Sequence, residues 1–239
     1  MEAAAVLPQG WARLIALLDG QPNADPMSRA RRLCDLCVET AGVTGSTLGI
    51  IGGEHRSTVC ATDEVSNRLE DLQLTFSEGP SVDAVRDGVA VLIPDLSDAS
   101  DARWPWYRQE ALEAGARAVF VFPVQVGAIR LGSLALYRTS TGALGPDQAK
   151  DARTLADAAA VLLSVGTGAD TAEAFVWAMD DRSRFRAEVH QAVGSTMVEL
   201  DVDAKQAFAL LRAHAFTTGR PIAEVAADIM AKRLRLEPD

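Results

Sequence analysis

The sequence predicts an α/β domain of the α+β kind, built on a central antiparallel sheet. A long helical connector and an all-α bundle of three helices are expected to follow it. Three observations predict this. Residues 28–139 alternate short β-like runs with helical stretches. No β-like run follows Pro146. The stretch 184–236 repeats apolar residues at helical spacing more regularly than any other part of the chain.

From the N-terminus, residues 1–25 are expected to be a leading segment with a short helix, and 26–165 the α/β domain. Runs 46–51, 57–61, 89–93, 118–124 and 131–137 are rich in apolar and β-branched residues and predict strands. Runs 63–72, 80–86 and 106–114 predict helices, the last after a polar loop at 95–103. Gln125 to Arg130, with Gly127, should join the last two strands as a hairpin. Pro146 opens the next helix, along which Leu155, Ala158, Ala159, Leu162 and Leu163 fall on one stripe. Gly166, Thr167 and Gly168 interrupt it. The connector 166–183 leads into a helix that begins near Asp170 and meets no stop before Leu200. At 1.5 Å per residue that helix would run roughly 45 Å, too long for one small domain. A coiled coil with a second copy is therefore expected.

In the bundle, Val189, Ala192, Val193, Thr196, Met197 and Leu200 mark one buried helix face. Asp203 with Gln206 three residues on is a capping-box pattern, and Gly219 falls where a left-handed cap is usual. The second helix turns Ala207, Phe208, Leu211 and Ala215 inward. Pro221 opens a third, with Ile222, Val225, Ala226, Ile229 and Met230 on one stripe as far as Arg233.

The 239 residues are 48% hydrophobic and 23% charged, the composition of a folded chain with one large or two modest domains. No apolar run approaches the roughly 20 residues that span a bilayer. Residues 1–20 lack the basic flank of a secretory signal. A cytoplasmic protein with no membrane partner is expected. The net charge of -10 opposes nonspecific coating of a polyanion. Nearly all of it lies before residue 180, since 180–239 holds nine Lys and Arg against ten Asp and Glu. Cys34, Cys37 and Cys60 are an odd count with no His at metal spacing, so no disulfide framework is expected. Cys34 and Cys37 share a helical apolar series and are expected as two buried core thiols in preference to a redox or metal pair. No metal or cofactor is expected.

The segment 186–236, with Ala192, Gly194, Ala207, Leu210, Leu211, Arg212, Ala215, Arg220, Val225 and Ala226, resembles an ANTAR domain. The run Ser77-Glu78-Gly79-Pro80-Ser81 to Ala84, with Arg103-Trp104-Pro105 and residues 119–123, resembles a GAF sensor domain of the type fused to ANTAR modules. The resemblance implies a GAF domain at 26–165 and an ANTAR domain at 184–236. Two departures stand out. Ser81 replaces a common cysteine, which removes thiol chemistry there. Val193 replaces a common lysine, which removes one phosphate-seeking charge.

The resemblance implies a regulator that binds tandem stem-loops in nascent RNA, usually as a homodimer, and a GAF pocket for a small molecule. Reading RNA needs cationic and hydrogen-bonding side chains on an exposed face. The candidates are Gln191 and Ser195 on the first bundle helix, Arg212 on the second, and Thr218 and Arg220 at the turn into the third. Arg212 is otherwise a solvated charge or an internal ion pair. Lys232, Arg233 and Arg235 suit a helix C-terminus through its dipole. The pocket candidates are Glu78, Ser81, Trp104 and Trp106; the tryptophans either wall the pocket or close the core. Glu78 and Asp83 have no nucleophile, metal ligand set or phosphate loop beside them, so no enzyme is expected and a helix-capping turn is the plain account. Dimerisation beside the hinge Gly166 to Gly168 is expected to carry the signal to RNA. The alternative is a protein-interaction module without nucleic acid, and a DNA-binding regulator is more remote.

Overall fold

A computed structural model describes residues 26–52, 55–165 and 184–236. The leading segment 1–25 and the expected coiled-coil connector 166–183 lie outside the described residues.

Helix α1 (Pro26–Ala41) precedes an antiparallel pair, β1 (Gly45–Gly52) and β2 (His55–Ala61). Helices α2 (Glu64–Phe76) and α3 (Pro80–Asp87), the short β3 (Val91–Ile93) and α4 (Pro105–Glu113) follow. The hairpin β4 (Ala118–Val126) and β5 (Ile129–Arg138) leads to α5 (Pro146–Val165). The five strands form one antiparallel sheet in the order β2-β1-β5-β4-β3. The expected strands are therefore all present, and the hairpin is tighter than its sequence suggested. Val126 pairs with Ile129, so only Gly127 and Ala128 turn, with Gly127 at φ +58°.

Side-chain alternation divides the sheet into two faces. Leu48, Ile50, Phe120, Phe122, Leu134 and Leu136 pack under α1 and α5, while Val119, Val121 and Tyr137 pack under α2, α3 and α4. A strand buried on both faces reads as a continuous apolar run, which is why 118–124 shows no alternation in sequence.

The small residues of α1 let it lie close to the sheet, and Ala30, Leu33, Cys34 and Cys37 are all buried. Cys37 is a free thiol whose pKa burial pushes far up. Cys34 corrects the expectation of unbridged core thiols. It is joined by a disulfide to Cys60 on β2, 26 residues along the chain. Helical period correctly buries Cys34, but only the docking of α1 on the sheet brings it to Cys60. Alkylation in denaturant should find one thiol before reduction and three after. Reduction should lower the unfolding free energy by about 3 kcal/mol, the effect of closing a loop of this length, as read by urea denaturation.

The bundle consists of α6 (Arg184–Leu200), α7 (Ala204–Thr218) and α8 (Ile222–Met230). Ala192, Ala207, Ala215, Ala223 and Ala226 are nearly solvent-free, so the three helices approach closely around Leu211, Ile222 and Val225. The Asp203–Gln206 capping box is complete and Gly219 takes the left-handed cap at φ +63°. Helix α8 ends earlier than expected, at Met230, because Lys232 adopts a positive φ of 57°. Lys232, Arg233 and Arg235 therefore lie beyond the helix. Arg233 Nη2 pairs with Asp228 at 2.7 Å, and Arg235 Nε with Glu199 at 3.5 Å.

Candidate functional site

Two cavities lie between the sheet and α2, and Glu70 and Gln73 line both. The larger is a narrow cleft open to solvent, beside Gly49, Arg56, Ser57 and Ser133. The smaller is bounded by Thr47, Ser66, Tyr107 and Tyr137. Tyr107 is fully buried and its hydroxyl has no hydrogen-bond partner. Burial, and then the Glu70 carboxylate, push that hydroxyl's pKa far up. Such a group costs about 1–3 kcal/mol unless something bonds it. Tyr137 also has a raised pKa, from burial first and Asp63 second, but its hydroxyl donates to Asp63 Oδ2 at 3.1 Å. Burial lowers the Arg56 pKa, and Glu70 opposes the shift. The cavities thus offer hydroxyls, an amide and the carboxylates of Glu70 and Asp71, with Arg56 beside the larger.

Glu78, Ser81, Trp104 and Trp106 line neither cavity. Ser81, at the start of α3, donates its backbone N–H to Gln73 Oε1 at 2.6 Å and its hydroxyl to Glu70 at 2.9 Å. It braces the wall of the site from behind. Glu78 is a capping residue, as the plain account expected, but for a different helix. Its Oε1 accepts from the backbone N–H groups of Trp106 and Tyr107 at 2.8 and 2.9 Å, satisfying two free donors at the start of α4. Trp104 closes the core at 6% exposure and donates Nε1–H to Asp83 at 2.9 Å. Trp106, two residues on, is 53% exposed and faces the bundle.

On the bundle, Gln191 and Ser195 stand exposed one turn apart on α6. Thr218 is exposed, its hydroxyl donating to His214 O at 2.6 Å. Arg220 is held within the bundle, 2.6 Å from Asp228 and 3.5 Å from Glu224, and these carboxylates keep its pKa raised. Arg212 is half-buried and forms no ion pair among the described residues. Its Nη1 donates to the Ser77 hydroxyl at 2.5 Å, across the junction with the sheet domain. Phe216, one turn further along α7, meets Trp106 and Phe76 edge-on at centroid distances of 4.9 and 6.0 Å. Leu74 of α2 packs against the bundle core beside them.

Sequence reasoning passed over Tyr107, Glu70 and Gln73. Gln73 did carry a signal. It interrupts the apolar stripe Leu69, Leu72, Phe76 at a position where a helix facing a sheet should be apolar, and it is 2% exposed. A buried amide marks a polar network or a site.

The chain matches the GAF domain family over residues 23–164 and the ANTAR domain family over 178–230. It has no significant match among curated proteins. Its fold is similar to the GAF domain of a phosphoenolpyruvate-protein phosphotransferase from Coxiella burnetii, at 15% identity and a TM-score of 0.52 over 65% of this chain and 90% of that one. It is similar also to the GAF domain of the Acinetobacter phosphoenolpyruvate-protein phosphotransferase, at 10% identity and a TM-score of 0.50 over 65% and 90%. The antiparallel sheet flanked by helices and the three-helix bundle behind it agree with both family matches: the chain belongs to the GAF domain family and carries an ANTAR domain after the GAF fold.

Proposed function

We propose that this protein is a signal-responsive transcription antitermination regulator. Its GAF domain takes a small ligand, and its ANTAR domain binds stem-loop RNA as a homodimer on tandem sites. The observation that carries this is the match of the three-helix bundle to the ANTAR family. The cavity at Glu70, Gln73 and Tyr107 supports the sensing half, because the unpartnered Tyr107 hydroxyl gains a hydrogen bond when a polar ligand fills it. Gln191, Ser195, Arg212, Thr218 and Arg220 are the proposed RNA contacts. Arg220 would exchange its carboxylate partners for a phosphate. With so few cations, affinity is modest and rests on shape and on paired binding more than on bulk charge.

The test is titration of the full chain with tandem stem-loop RNA, scrambled RNA and duplex DNA at two salt concentrations. Stem-loops should bind best, with a shallow salt dependence. Equal affinity for all three would leave the protein-interaction alternative standing.

One glycine supports the choice of this face of α6. Gly194 lies within α6 between Gln191 and Ser195, and a Cβ built on it meets nothing within 4 Å. Packing among the described residues therefore gives no reason for a residue that costs a helix about 1 kcal/mol relative to alanine. Gly194→Ala should stabilise the bundle by about that amount in urea denaturation, while weakening stem-loop binding several-fold. A stabilised variant with unchanged RNA affinity would remove the outer face of α6 from the interface.

A further inference from the structure

We propose that the α7 face carrying Arg212 and Phe216 is held against the GAF domain as an autoinhibitory contact, and that stem-loop RNA binds only when this face is released. The inference rests on the RNA-binding role proposed above and assigns its regulation.

The first ground is the partner that Arg212 has. Ser77 presents a neutral hydroxyl to its guanidinium, 2.5 Å from Nη1. Arg220, in contrast, faces the carboxylates of Asp228 and Glu224. A phosphate displaces a neutral acceptor readily, because it adds a second charge and accepts both N–H bonds of the guanidinium fork, which a single hydroxyl cannot do. Arg212 is thus masked without being neutralised.

The second ground is the shallowness of the contact. Phe216 touches Trp106 and Phe76 edge-on, yet Phe216 stays 40% exposed and Trp106 53%. A contact this open holds a domain in place without locking it, which leaves the released form within reach of a modest signal.

The third ground is the connection to the cavity. Ser77 and Glu78 are neighbours, as are Trp106 and Tyr107. The outer member of each pair meets α7: Ser77 accepts from Arg212, and Trp106 packs on Phe216. The inner members are tied to each other, because the Glu78 carboxylate accepts from the Tyr107 backbone N–H. Tyr107 lines the smaller cavity, and its hydroxyl has no partner among the described residues. A ligand bonded to that hydroxyl acts on the first turn of α4, where Trp106 stands. It releases α7 to the extent that it binds the parted arrangement more tightly than the closed one.

The experiment compares the full chain with the double variant Trp106→Ala, Ser77→Gly, with Phe216→Ala, and with Ile129→Ala. Ser77 has a φ of 53°, which glycine adopts freely, and Trp106 is half exposed, so the double variant should fold. Phe216→Ala breaks the same contact from the bundle side, so the test does not depend on one variant. Ile129, an exposed residue on the hairpin, is the control. The readout is affinity for tandem stem-loop RNA. Apparent affinity scales with the fraction of released protein, and an aromatic contact with a hydrogen bond corresponds to about a tenfold change in that fraction. Both contact variants should bind about tenfold more tightly than the unaltered chain, and Ile129→Ala no differently from it. Equal affinity in all four overturns the autoinhibition and leaves the RNA-binding role intact. RNA binding by none of them overturns both.

Discussion

Gly79→Ala should lower the unfolding free energy of the GAF domain by about 4 kcal/mol, measured by urea denaturation. Gly79 precedes α3 at φ +132° and ψ 170°, a region open essentially to glycine alone and costing other residues about 1–3 kcal/mol. A Cβ there would also lie 2.6 Å from both Cγ and Oε1 of Gln73. Gln73 is buried and has little room to move, since its amide carries the bonds to Ser81 N and Ser81 Oγ. Displacing it leaves the Ser81 N–H unpaired, for about 1–3 kcal/mol more. Adding Gln73→Ala to Gly79→Ala separates the two effects. It relieves the clash and leaves the backbone strain, so a double variant as stable as Gln73→Ala alone would refute the strain argument. The Gly-Pro step of the motif is thus a backbone requirement of the cavity wall, whatever the ligand.

Arg108→Ala should be of similar size, about 4 kcal/mol. Arg108 is 8% exposed. Its guanidinium donates to the carbonyls of Leu96, Asp98 and Asp101, and its Nη1 lies 3.6 Å from the Asp101 carboxylate. The loop 95–103 therefore closes around one side chain, and removing it leaves the buried Leu96 carbonyl with no donor and loses two part-buried bonds, each bond to the charged group being worth about 1.5–3 kcal/mol. Arg108→Met keeps much of the volume and should cost nearly as much, whereas a small loss would mean the loop is held by packing alone. The same loop predicts an acid response. Asp101 has its pKa lowered from 3.8 to about 2, first by hydrogen bonding from Arg103. A carboxylate depressed in the folded state stabilises it above the unfolded pKa and loses that contribution as pH falls through the folded one. Loop stability should therefore fall between about pH 4 and pH 2, and amide exchange of residues 95–103 should report it.

Features held by neighbours in sequence were legible. The Asp203–Gln206 capping box, the Gly219 cap and the stripe of Ile222, Val225, Ala226 and Ile229 are set by contacts within one or two turns, so periodicity exposes them. Strand positions were legible for the same reason. The early end of α8 was not, because alanine and lysine at 231 and 232 are good helix formers and the helix stops there only by the left-handed turn at Lys232. The site was the least legible part. Glu78 caps a helix 28 residues away, Arg212 bonds a residue 135 away, and Cys34 meets Cys60 only after α1 has docked on the sheet. Trp106 and Tyr107 look alike in sequence, yet one faces the bundle and the other the cavity. Only the angle at which α4 enters the fold decides which.

The place of β5 in the sheet bears on the order in which the protein is made. It is the last strand synthesised and the middle one of five, pairing with β1 on one side and β4 on the other. Before Arg138 leaves the ribosome, β1–β2 and β3–β4 are separate pairs with open edges, and they join only when β5 arrives. Leu236 follows roughly 100 residues later, a delay of roughly 5–20 s at the usual 5–20 residues per second. Sheet-rich domains of this kind fold in milliseconds to seconds. The bundle therefore emerges beside a finished GAF domain, and α7 meets Ser77 and Trp106 as soon as it forms. In each new molecule the proposed RNA face is thus covered as soon as it is made.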